Sequence, residues 1–504
     1  MPSRSKTRSA GSPASLFIKL NRSRPLGEQI SHRIRVAIQE KRLVPGDRLP
    51  SLRQLAQDLG VSIDTVQDSY RLLADEGRVQ ARQGAGYYVC EELGNSLPSK
   101  GESIAAQQKV PSINTRQPSS RILEKTRRAR QNIPFDYRTN ERTPLATYAS
   151  GMECIAEKHF LRFAAQLARS PWLHNSYSDP QGYLPLRHAI CRKLRQFQGL
   201  IIQPEQIVIT SGLVQSLNLL SEVLFAPGDH IWLENPGYST VEDTLRFRQL
   251  SPVFVPVDSH GFDVTKALEL EPTAKGLFIS SASQYPLSVP LSSKQVQPLL
   301  EWSRQSGGWI IEDGTDGILS LTGKPYRSLL QQSDGHEGVV YVDSFSLQIA
   351  PGFRMGYIVL PRAFAEVCTA AKFLSDRNSG ESAQALLAEF LDSVPYESYI
   401  RRLNRRYCQR FKVLQAAVAE KLSKYGYLMP AQFGCRVAFI LTVPVNDIEL
   451  SAALTEDGIP LRSLSTCCRG NNPLNGLILG FGTSSESEIW NAVERIALHC
   501  AELS

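Results

Sequence analysis

The chain has 504 residues, of which 42% are hydrophobic, 21% charged and 8% aromatic. This length predicts roughly two to four domains, and so apolar a chain can bury a core, which excludes disorder throughout. No apolar run approaches the roughly 20 residues that a membrane helix needs, and no signal-peptide core follows the basic start, so we expect a cytoplasmic protein without a membrane partner.

The nine cysteines show no paired C-x-x-C spacing. In a chain of this length, scattered cysteines of this kind indicate free thiols of a cytosolic protein. We therefore expect neither a disulfide framework nor a metal site.

The formal net charge of +7 is unevenly distributed along the chain. Residues 1–90 hold 15 Lys+Arg and 8 Asp+Glu, and residues 91–135 hold 8 and 4, which leaves −4 for the remainder. A basic front segment before a slightly acidic body favours a polyanion as partner of the front segment. A solvated charged surface is the alternative that charge alone leaves open.

Composition divides the chain into four segments. Residues 91–134 are rich in Ser, Gln, Pro and charge with little apolar periodicity, which is typical of a linker. We expect a basic disordered tail at 1–21, a small domain at 22–90, and a large domain at 135–504.

The small domain is predicted to contain three helices and a two-stranded wing. The first helix starts after Pro25, and Ser51 caps a second helix in which Gln54 completes a capping box. Gly60 ends that helix, and Ser62 caps a third. Two closely spaced helices of this kind form a helix-turn-helix, whose second helix enters a DNA major groove. Strands are predicted at 79–81 and 87–89, joined by the turn 83–86.

The segment RLPSLRQLAQDLGVSIDTVQDSYRLLADEGRVQARQGAGYYV resembles the winged-helix DNA-binding domain of GntR-type transcription regulators over residues 22–90. The resemblance implies a double-stranded DNA operator as partner. It also implies a set of DNA-contacting residues: Arg53, Ser62, Ile63, Asp64, Thr65, Gln67 and Gly84.

One departure from that family lies at the start of the third helix. Where the family often has a basic residue, this chain has Ile63, followed by the acidic Asp64. Ile63 is able to pack on a thymine methyl and Asp64 to accept from a cytosine amine. The alternatives are that base reading is weak here or moves to Thr65 and Gln67, and that the winged helix does not bind DNA.

The large domain contains seven apolar runs separated by helical patterns. Such runs predict buried, mostly parallel strands covered by helices on both faces, so the fold class is α/β. The predicted strands lie at 207–209, 231–233, 253–255, 277–279, 309–311, 339–342 and 357–360.

Ligands bind beyond the carboxyl ends of parallel strands, where this chain has several polar residues. Gly212 follows a strand and opens a helix, which presents backbone amides to an anion; a plain connection is the alternative. Glu312 and Asp313 end another strand, and either one could pair with a protonated heterocycle nitrogen or cap a helix. Ser344 follows the next strand, and a hydroxyl with the guanidinium of Arg354 suits a phosphate.

In their order along the chain, these residues resemble the fold type I, class I/II aminotransferases that use pyridoxal 5′-phosphate (PLP). The matching pieces include Tyr177–Gly182, Glu234–Tyr238, Gln284–Pro286 and Ser344–Tyr357. The resemblance implies a large PLP-transferase-like domain with a smaller C-terminal α+β subdomain. The cofactor-binding residues that it implies are Gly212, Tyr238, Asp313, Ser344 and Arg354.

A GntR-like module joined to an aminotransferase-like body is the arrangement of the MocR subgroup of bacterial regulators, which this chain resembles from end to end. In that subgroup the body binds PLP and often an amino compound, forms a homodimer and controls transcription. The resemblance therefore implies a homodimer and a small-molecule effector, either amino-acid-like or amine-like or PLP itself.

The position of the cofactor-binding lysine departs from this pattern. The aminotransferases have Ser-Phe-Ser-Lys, whereas here the register places Leu347 at the lysine position. Leucine has no amine and cannot form a Schiff base, so we expect PLP binding that is non-covalent at best, with no catalytic residue. Lys324 and Lys372 are the nearest lysines, and both are expected at the surface.

Other positions of the pocket depart as well. Thr315 replaces a tyrosine and Gly314 a second aspartate of the subgroup, and the C-terminal segment 477–481 lacks an arginine. Arg462 or Arg469 is a candidate to bind a carboxylate in its place.

Three functions are compatible with these residues. The first is a DNA-binding regulator whose body is a catalytically silent sensor and dimerisation domain. The second is a regulator that responds to non-covalently bound PLP. The third is a working aminotransferase with an added DNA-binding domain, which Leu347 disfavours.

Overall fold

The structure is a computed structural model that describes residues 25–40, 42–82, 84–90, 126–127, 143–147, 161, 165, 177–335, 337–393 and 395–504. Two compact units, 1–117 and 118–504, make up the chain. The division falls inside the predicted linker 91–134, of which only 126–127 are described. The predicted tail 1–21 also lies outside the described residues.

The first unit has the predicted order of three helices and two strands. Its two strands pair in antiparallel fashion. Gly60 ends the second helix with a left-handed φ of +62°, which glycine adopts without a steric penalty. The elements are α1 Leu26–Gln39, α2 Leu52–Leu59, α3 Ile63–Asp75, β1 Val79–Arg82 and β2 Gly86–Val89.

Tyr70 of α3 joins the helices to the wing. Its side chain is fully buried, its hydroxyl donates to the Pro50 carbonyl over 2.9 Å, and its ring contacts Tyr87 edge to face at 5.0 Å. At the start of α2, Ser51 accepts from the Gln54 backbone amide as predicted. The reciprocal half of the expected capping box is wrong, because the Gln54 side chain donates to Asp58 instead.

A seven-stranded sheet organises the second unit and confirms all seven predicted strands. The strand order is β3-β9-β8-β7-β6-β4-β5, and only β9 runs antiparallel to its neighbours. The strands are β3 Ile207–Thr210, β4 His230–Asn235, β5 Ser251–Pro256, β6 Gly276–Ile279, β7 Trp309–Asp313, β8 Val339–Ser344 and β9 Gly356–Val359.

Helices cover both faces of this sheet, which explains why its strands are apolar throughout. Trp232 and Leu233, adjacent on β4, are both buried but belong to separate hydrophobic clusters on opposite faces. The helices are α4 Leu184–Gln198, α5 Leu213–Leu224, α6 Ser239–Phe247, α7 Val264–Leu270, α8 Ser293–Ser306, α9 Leu329–Gln332, α10 Arg362–Asp376, α11 Glu381–Asp392 and α12 Pro395–Lys421.

The C-terminal part forms the predicted smaller α+β subdomain. Its four strands are antiparallel in the order β10-β11-β13-β12. The elements are β10 Gly426–Leu428, β11 Arg436–Leu441, α13 Asp447–Glu456, β12 Arg462–Ser463, β13 Gly476–Gly480 and α14 Glu486–Leu503.

A buried ion pair lies below the carboxyl end of β8. The side chains of Lys193 and Asp343 are 3% and 1% exposed, and Lys193 Nζ lies 2.8 Å from Asp343 Oδ2. The Tyr357 hydroxyl donates to the same oxygen at 2.7 Å. Asp343 Oδ1 accepts from the Ser344 backbone amide at 2.7 Å and from Gln348 Nε2 at 3.0 Å. Each oxygen of the Asp343 carboxylate therefore has two partners.

We expect Asp343→Asn to destabilise the second unit by about 3–5 kcal/mol, because it leaves the Lys193 ammonium buried without a counter-ion. Arg192→Ala on the same helix is the control: its ion pair with Asp392 is about half exposed and should contribute no more than about 1 kcal/mol. All five tryptophans lie in the second unit, so urea unfolding followed by tryptophan fluorescence measures this unit alone. Equal midpoints for the two variants would contradict the prediction.

Candidate functional site

Gly212, Ser344 and Arg354 converge at the carboxyl ends of β3 and β8. Gly212 precedes α5 with a φ of +113°, and among the described residues no side chain caps this helix. A Cβ added to Gly212 would lie 3.8 Å and 3.9 Å from the two terminal nitrogens of Arg354 and 3.9 Å from Ser344 Oγ. The absent side chain thus leaves space between a helix N-terminus, a hydroxyl and a guanidinium, which together suit a phosphate dianion.

Arg354 holds its place through an unusual backbone conformation. It follows a single 3₁₀ turn, Pro351–Phe353, and has a left-handed φ of +48°. The residue is exposed, and no acceptor for its guanidinium is found in the described part of the chain. The charge is therefore available to a ligand.

Glu312 and Asp313, of which the family resemblance implied Asp313 as the cofactor-binding residue, have different roles. Glu312 is fully buried and accepts from the amides of Leu329 and Leu330 at 2.7 Å and 3.0 Å, so it caps α9. The Tyr326 hydroxyl also donates to it. Glu312 is therefore structural.

Asp313 is the carboxylate that remains for a ligand. Thr315 donates to its Oδ1 through both its amide, at 3.0 Å, and its hydroxyl, at 2.5 Å. Burial raises the pKa of Asp313 to about 6, against these two hydrogen bonds, which lower it. The group is thus mostly ionised at neutral pH, as pairing with a protonated ring nitrogen requires. Asp313 and Ser344 end neighbouring parallel strands, so they lie along one edge of the sheet.

Leu347 is 7% exposed and belongs to the large hydrophobic cluster beneath the sheet. Lys324 is exposed, as predicted. The prediction of a surface position for Lys372 is wrong: its side chain is fully buried and lies 3.2 Å from Asp376.

Lys372 is linked to the Gly212 turn through a chain of hydrogen bonds. Asp376 accepts from Gln215 Nε2 at 2.6 Å, and Gln215 Oε1 accepts from the Ser211 amide at 2.6 Å. Lys372 is therefore held by Asp376 and is connected through Gln215 to the anion cradle, the space bounded by Gly212, Ser344 and Arg354.

Steric crowding explains why residue 314 is a glycine. A Cβ there would lie 1.9 Å from the hydroxyl oxygen of Tyr341, which is fully buried on β8. That hydroxyl accepts from Gln198 Nε2 at 2.7 Å. A tyrosine on the neighbouring strand thus fills the space that a side chain at 314 would need.

The arginines expected near a substrate carboxylate already have partners. Arg469 donates to Glu242 at 2.8 Å, and Arg462 donates to the Ser239 hydroxyl at 2.6 Å. Arg436, which sequence reasoning did not identify, pairs with Asp316 at 2.8 Å. The only signal for this pair in the sequence was a basic residue at the start of β11 and an acidic residue just after β7, two positions that lie far apart in the chain.

Tyr238 precedes α6 and packs edge to face on Tyr285, with ring centroids 5.1 Å apart. It lines a cavity with Glu234, a residue of the matching motif that the sequence did not single out. Of the proposed cofactor residues only Tyr238 lines this cavity; Gly212, Asp313, Ser344 and Arg354 do not.

In the first unit, the predicted DNA-contacting residues lie on the exposed side of the helix-turn-helix and wing. Arg53, Asp64 and Gln67 are exposed, and Ile63 is 44% exposed. Ser62 caps α3 by accepting from the Thr65 amide at 3.2 Å, and the two hydroxyls lie 2.7 Å apart, so both are engaged within the helix start. Gly84 is exposed with a φ of +72°, and apart from its chain neighbours no atom of the described residues would lie within 4 Å of an added Cβ.

Among the described residues, no group of three or more His, Cys, Asp or Glu side chains is placed to hold a metal ion. None of the described helices combines the length and hydropathy needed to cross a membrane.

Comparison with known families supports both units. Residues 156–471 match the model for aminotransferase class I and II, and residues 26–89 match bacterial regulatory proteins of the gntR family. The second unit has the fold of solved aminotransferases: LysN, an α-aminoadipate aminotransferase from Thermus thermophilus, superposes with a TM-score of 0.65 at 22% identity, covering 71% of this chain and 92% of that one.

Two similar proteins share both units. The probable rhizopine catabolism regulatory protein MocR of Rhizobium meliloti is 26% identical over 91% of this chain and 90% of its own. The pyridoxine biosynthesis transcriptional regulator PdxR of Corynebacterium glutamicum is 27% identical over 94% and 96%. The chain belongs to the aminotransferase class I and II family, and its gntR-type domain and these similar regulators match the MocR subgroup of transcription regulators.

Proposed function

We propose that this regulator binds operator DNA through its winged helix and uses its aminotransferase-like unit as a catalytically silent sensor. The observation that carries this proposal is the buried Leu347, which supplies no amine where the aminotransferases form their covalent bond to PLP. The proposed domain limits are 22–90 for DNA binding, 91–134 for the linker and 135–504 for the sensor, in a protein that acts in the cytoplasm.

The residues around the anion cradle fit PLP held without a covalent bond. Gly212, Ser344 and Arg354 would bind the phosphate, Asp313 the ring nitrogen, and Tyr238 would line the pocket. The space left by the missing Cβ of Gly212 supports this fit. When bound, PLP supplies an electron sink for reactions at amino groups. Here the chain's own residues only bind and orient it, because no described amine other than the engaged Lys193 and Lys372 lies buried near the cradle.

A working aminotransferase is the alternative function. The preserved phosphate and ring-nitrogen partners favour it, but Leu347 cannot move a substrate proton. The engagement of Arg462 and Arg469 with Ser239 and Glu242 also leaves no free arginine among those two to bind a substrate carboxylate.

The proposed DNA contacts divide by chemistry. The exposed Arg53 would contact phosphate, as would the backbone at Gly84 in the wing. Ile63, Asp64 and Gln67 would reach base edges from the start of α3, whereas Ser62 and Thr65 are partly engaged with each other.

A homodimer is the proposed assembly. Exposed apolar side chains lie on two helices that pack on each other, near the N-terminus of α5 and on α10: Val214 is 40% exposed, Phe373 49% and Leu374 84%. Exposed apolar side chains on neighbouring helices favour a protein contact surface. A dimer would display two winged helices and so require two operator half-sites.

We expect Arg53→Ala to weaken binding to all duplexes about equally and to lower the slope of affinity against salt, because it removes a phosphate contact. Gln67→Ala should instead change which sequences are enriched from a random duplex pool. Arg33→Ala removes the same charge from an exposed position of α1, away from the proposed contacts, and serves as the control. An unchanged enriched sequence for Gln67→Ala would contradict its role in base reading.

The purified wild-type protein should release PLP on dialysis, give no adduct that borohydride fixes, and show no transaminase turnover. Leu347→Lys should gain a visible absorption band with PLP, because burial lowers the pKa of the new amine and so leaves it unprotonated. It should show no useful catalysis, because Thr315 stands where the subgroup has a tyrosine. Leu347→Met, which fills the site without an amine, is the matched control. A visible band that persists in dialysed wild-type protein would show that another lysine reacts.

Sedimentation velocity at micromolar concentration should show a dimer of the full chain. Leu374→Glu should shift it towards monomer, since it places a charge in the proposed interface. Leu498→Glu, at a 49% exposed position of α14, is the control and should leave the dimer intact. A monomeric wild-type protein would refute the assembly.

A further inference from the structure

Three side chains connect helix α10 to the backbone of the anion cradle: Lys372, Asp376 and Gln215, called here the α10 link. Lys372 Nζ lies 3.2 Å from Asp376 Oδ1, and Asp376 Oδ2 accepts from Gln215 Nε2 at 2.6 Å. Gln215 Oε1 accepts from the backbone amide of Ser211 at 2.6 Å, one residue before Gly212. The α10 link therefore joins a buried ammonium group to the turn that opens α5.

The residue type at position 215 is specified by its two neighbours. A backbone amide can only donate, and an ionised carboxylate can only accept. A side-chain amide with its oxygen towards Ser211 and its nitrogen towards Asp376 suits both partners. An ionised carboxylate or a methyl group at 215 could not make both hydrogen bonds.

The turn that the α10 link holds has an unusual conformation. Gly212 has φ +113° and ψ −175°, a region of the backbone map that residues with a Cβ rarely adopt. Thr210 supports the turn from the strand side, because its Oγ1 accepts from the Gly212 amide at 3.3 Å and lies 2.9 Å from Ser216 Oγ. Gln215 adds a second support, which ties the turn to α10. A turn fixed before the ligand arrives does not have to be ordered when the ligand binds.

Lys372 has an electrostatic role in the α10 link. Its side chain is fully buried, whereas the side chain of Asp376 is 34% exposed. A carboxylate two hydrogen bonds away from a phosphate-binding space would repel a dianion if its charge were not compensated. The ammonium group of Lys372 compensates it, so Asp376 can orient Gln215 without opposing the anion.

We propose that Gln215 and Asp376 are positioning residues of the anion cradle, with Lys372 as the counter-ion that keeps Asp376 from repelling the ligand. In this role none of the three binds the phosphate itself; they act through the Ser211–Gly212 turn. The inference rests on the proposed function only in that the cradle takes a phosphate group. It does not depend on PLP or on DNA binding.

The test measures binding of inorganic phosphate to the full chain at pH 8, followed by the ³¹P line width. Arg354→Ala identifies the part of the signal that comes from the cradle. Gln215→Glu places a carboxylate against Asp376, so we expect it to lower phosphate affinity about tenfold or more. Gln215→Ala removes both hydrogen bonds without adding charge and suits a helix, and it should lower the affinity about threefold to tenfold.

The double variant Gln215→Glu/Asp376→Asn separates positioning from a merely structural role. It exchanges the donor and the acceptor between the two side chains, leaves an oxygen for the Ser211 amide and keeps one negative charge near Lys372. Phosphate affinity should therefore return to within about threefold of the wild type.

Asn218→Ala is the matched control, since it removes a side-chain amide from the same helix one turn further on. Asn218 donates to the Val214 carbonyl at 2.8 Å and accepts from Arg248 at 2.7 Å, so it faces away from the α10 link. Its phosphate affinity should equal that of the wild type. An equal loss in this control, no loss in Gln215→Ala, or no recovery in the double variant would overturn the proposal.

The outcomes also separate this inference from the proposed function. A wild-type protein that binds PLP while its phosphate affinity is indifferent to Gln215 would count against the inference alone. Phosphate binding that follows the expected pattern in a protein that does not bind PLP would count against the proposed function alone. A wild-type protein whose cradle binds neither ligand would overturn both.

Discussion

The four hydrogen bonds of the Asp343 carboxylate fix the elements of the second unit that carry the proposed phosphate-binding residues. Lys193 of α4 and Tyr357 of β9 bind one oxygen, and Ser344 and Gln348 bind the other. One buried group thus joins α4, the neighbouring strands β8 and β9, and the loop that follows Ser344 and contains Gln348. Because a buried ion pair is stable only when its geometry is fully satisfied, the loop has little freedom to move, and the cradle remains preorganised even without a lysine at 347.

Much of this architecture could be predicted from the sequence, because its strands are buried on both faces. A strand covered on both sides must be apolar throughout, and short runs such as Ile207–Ile209 are then recognisable without a partner. The polar residues that interrupt such runs fall at strand ends, which is why Asp313 and Ser344 were identified as candidate site residues. Helix caps at Ser51 and Ser62 were equally local and equally recognisable.

What could not be predicted depends on contacts between distant segments. Lys372 looks like a surface lysine on an amphipathic helix, and only the packing of α10 on α5 buries it beside Asp376. The two adjacent carboxylates Glu312 and Asp313 are chemically alike, and the position of α9, which starts 17 residues after Glu312, decides that Glu312 caps a helix. The place of Glu234 in a cavity wall could not be predicted either, because Cys467 and Arg469 from the C-terminal part of the chain complete that wall.

The contact between Gly314 and Tyr341 bears on how this chain could change over evolutionary time. An aspartate reintroduced at 314 would collide with the Tyr341 phenol, so a smaller residue must first appear at 341. That first step would open a void and leave Gln198 without the oxygen to which it donates. The path back to the subgroup's usual residues therefore passes through a less stable intermediate. The large side chain of Tyr341 thus keeps residue 314 a glycine, and selection on stability alone acts against a larger residue there.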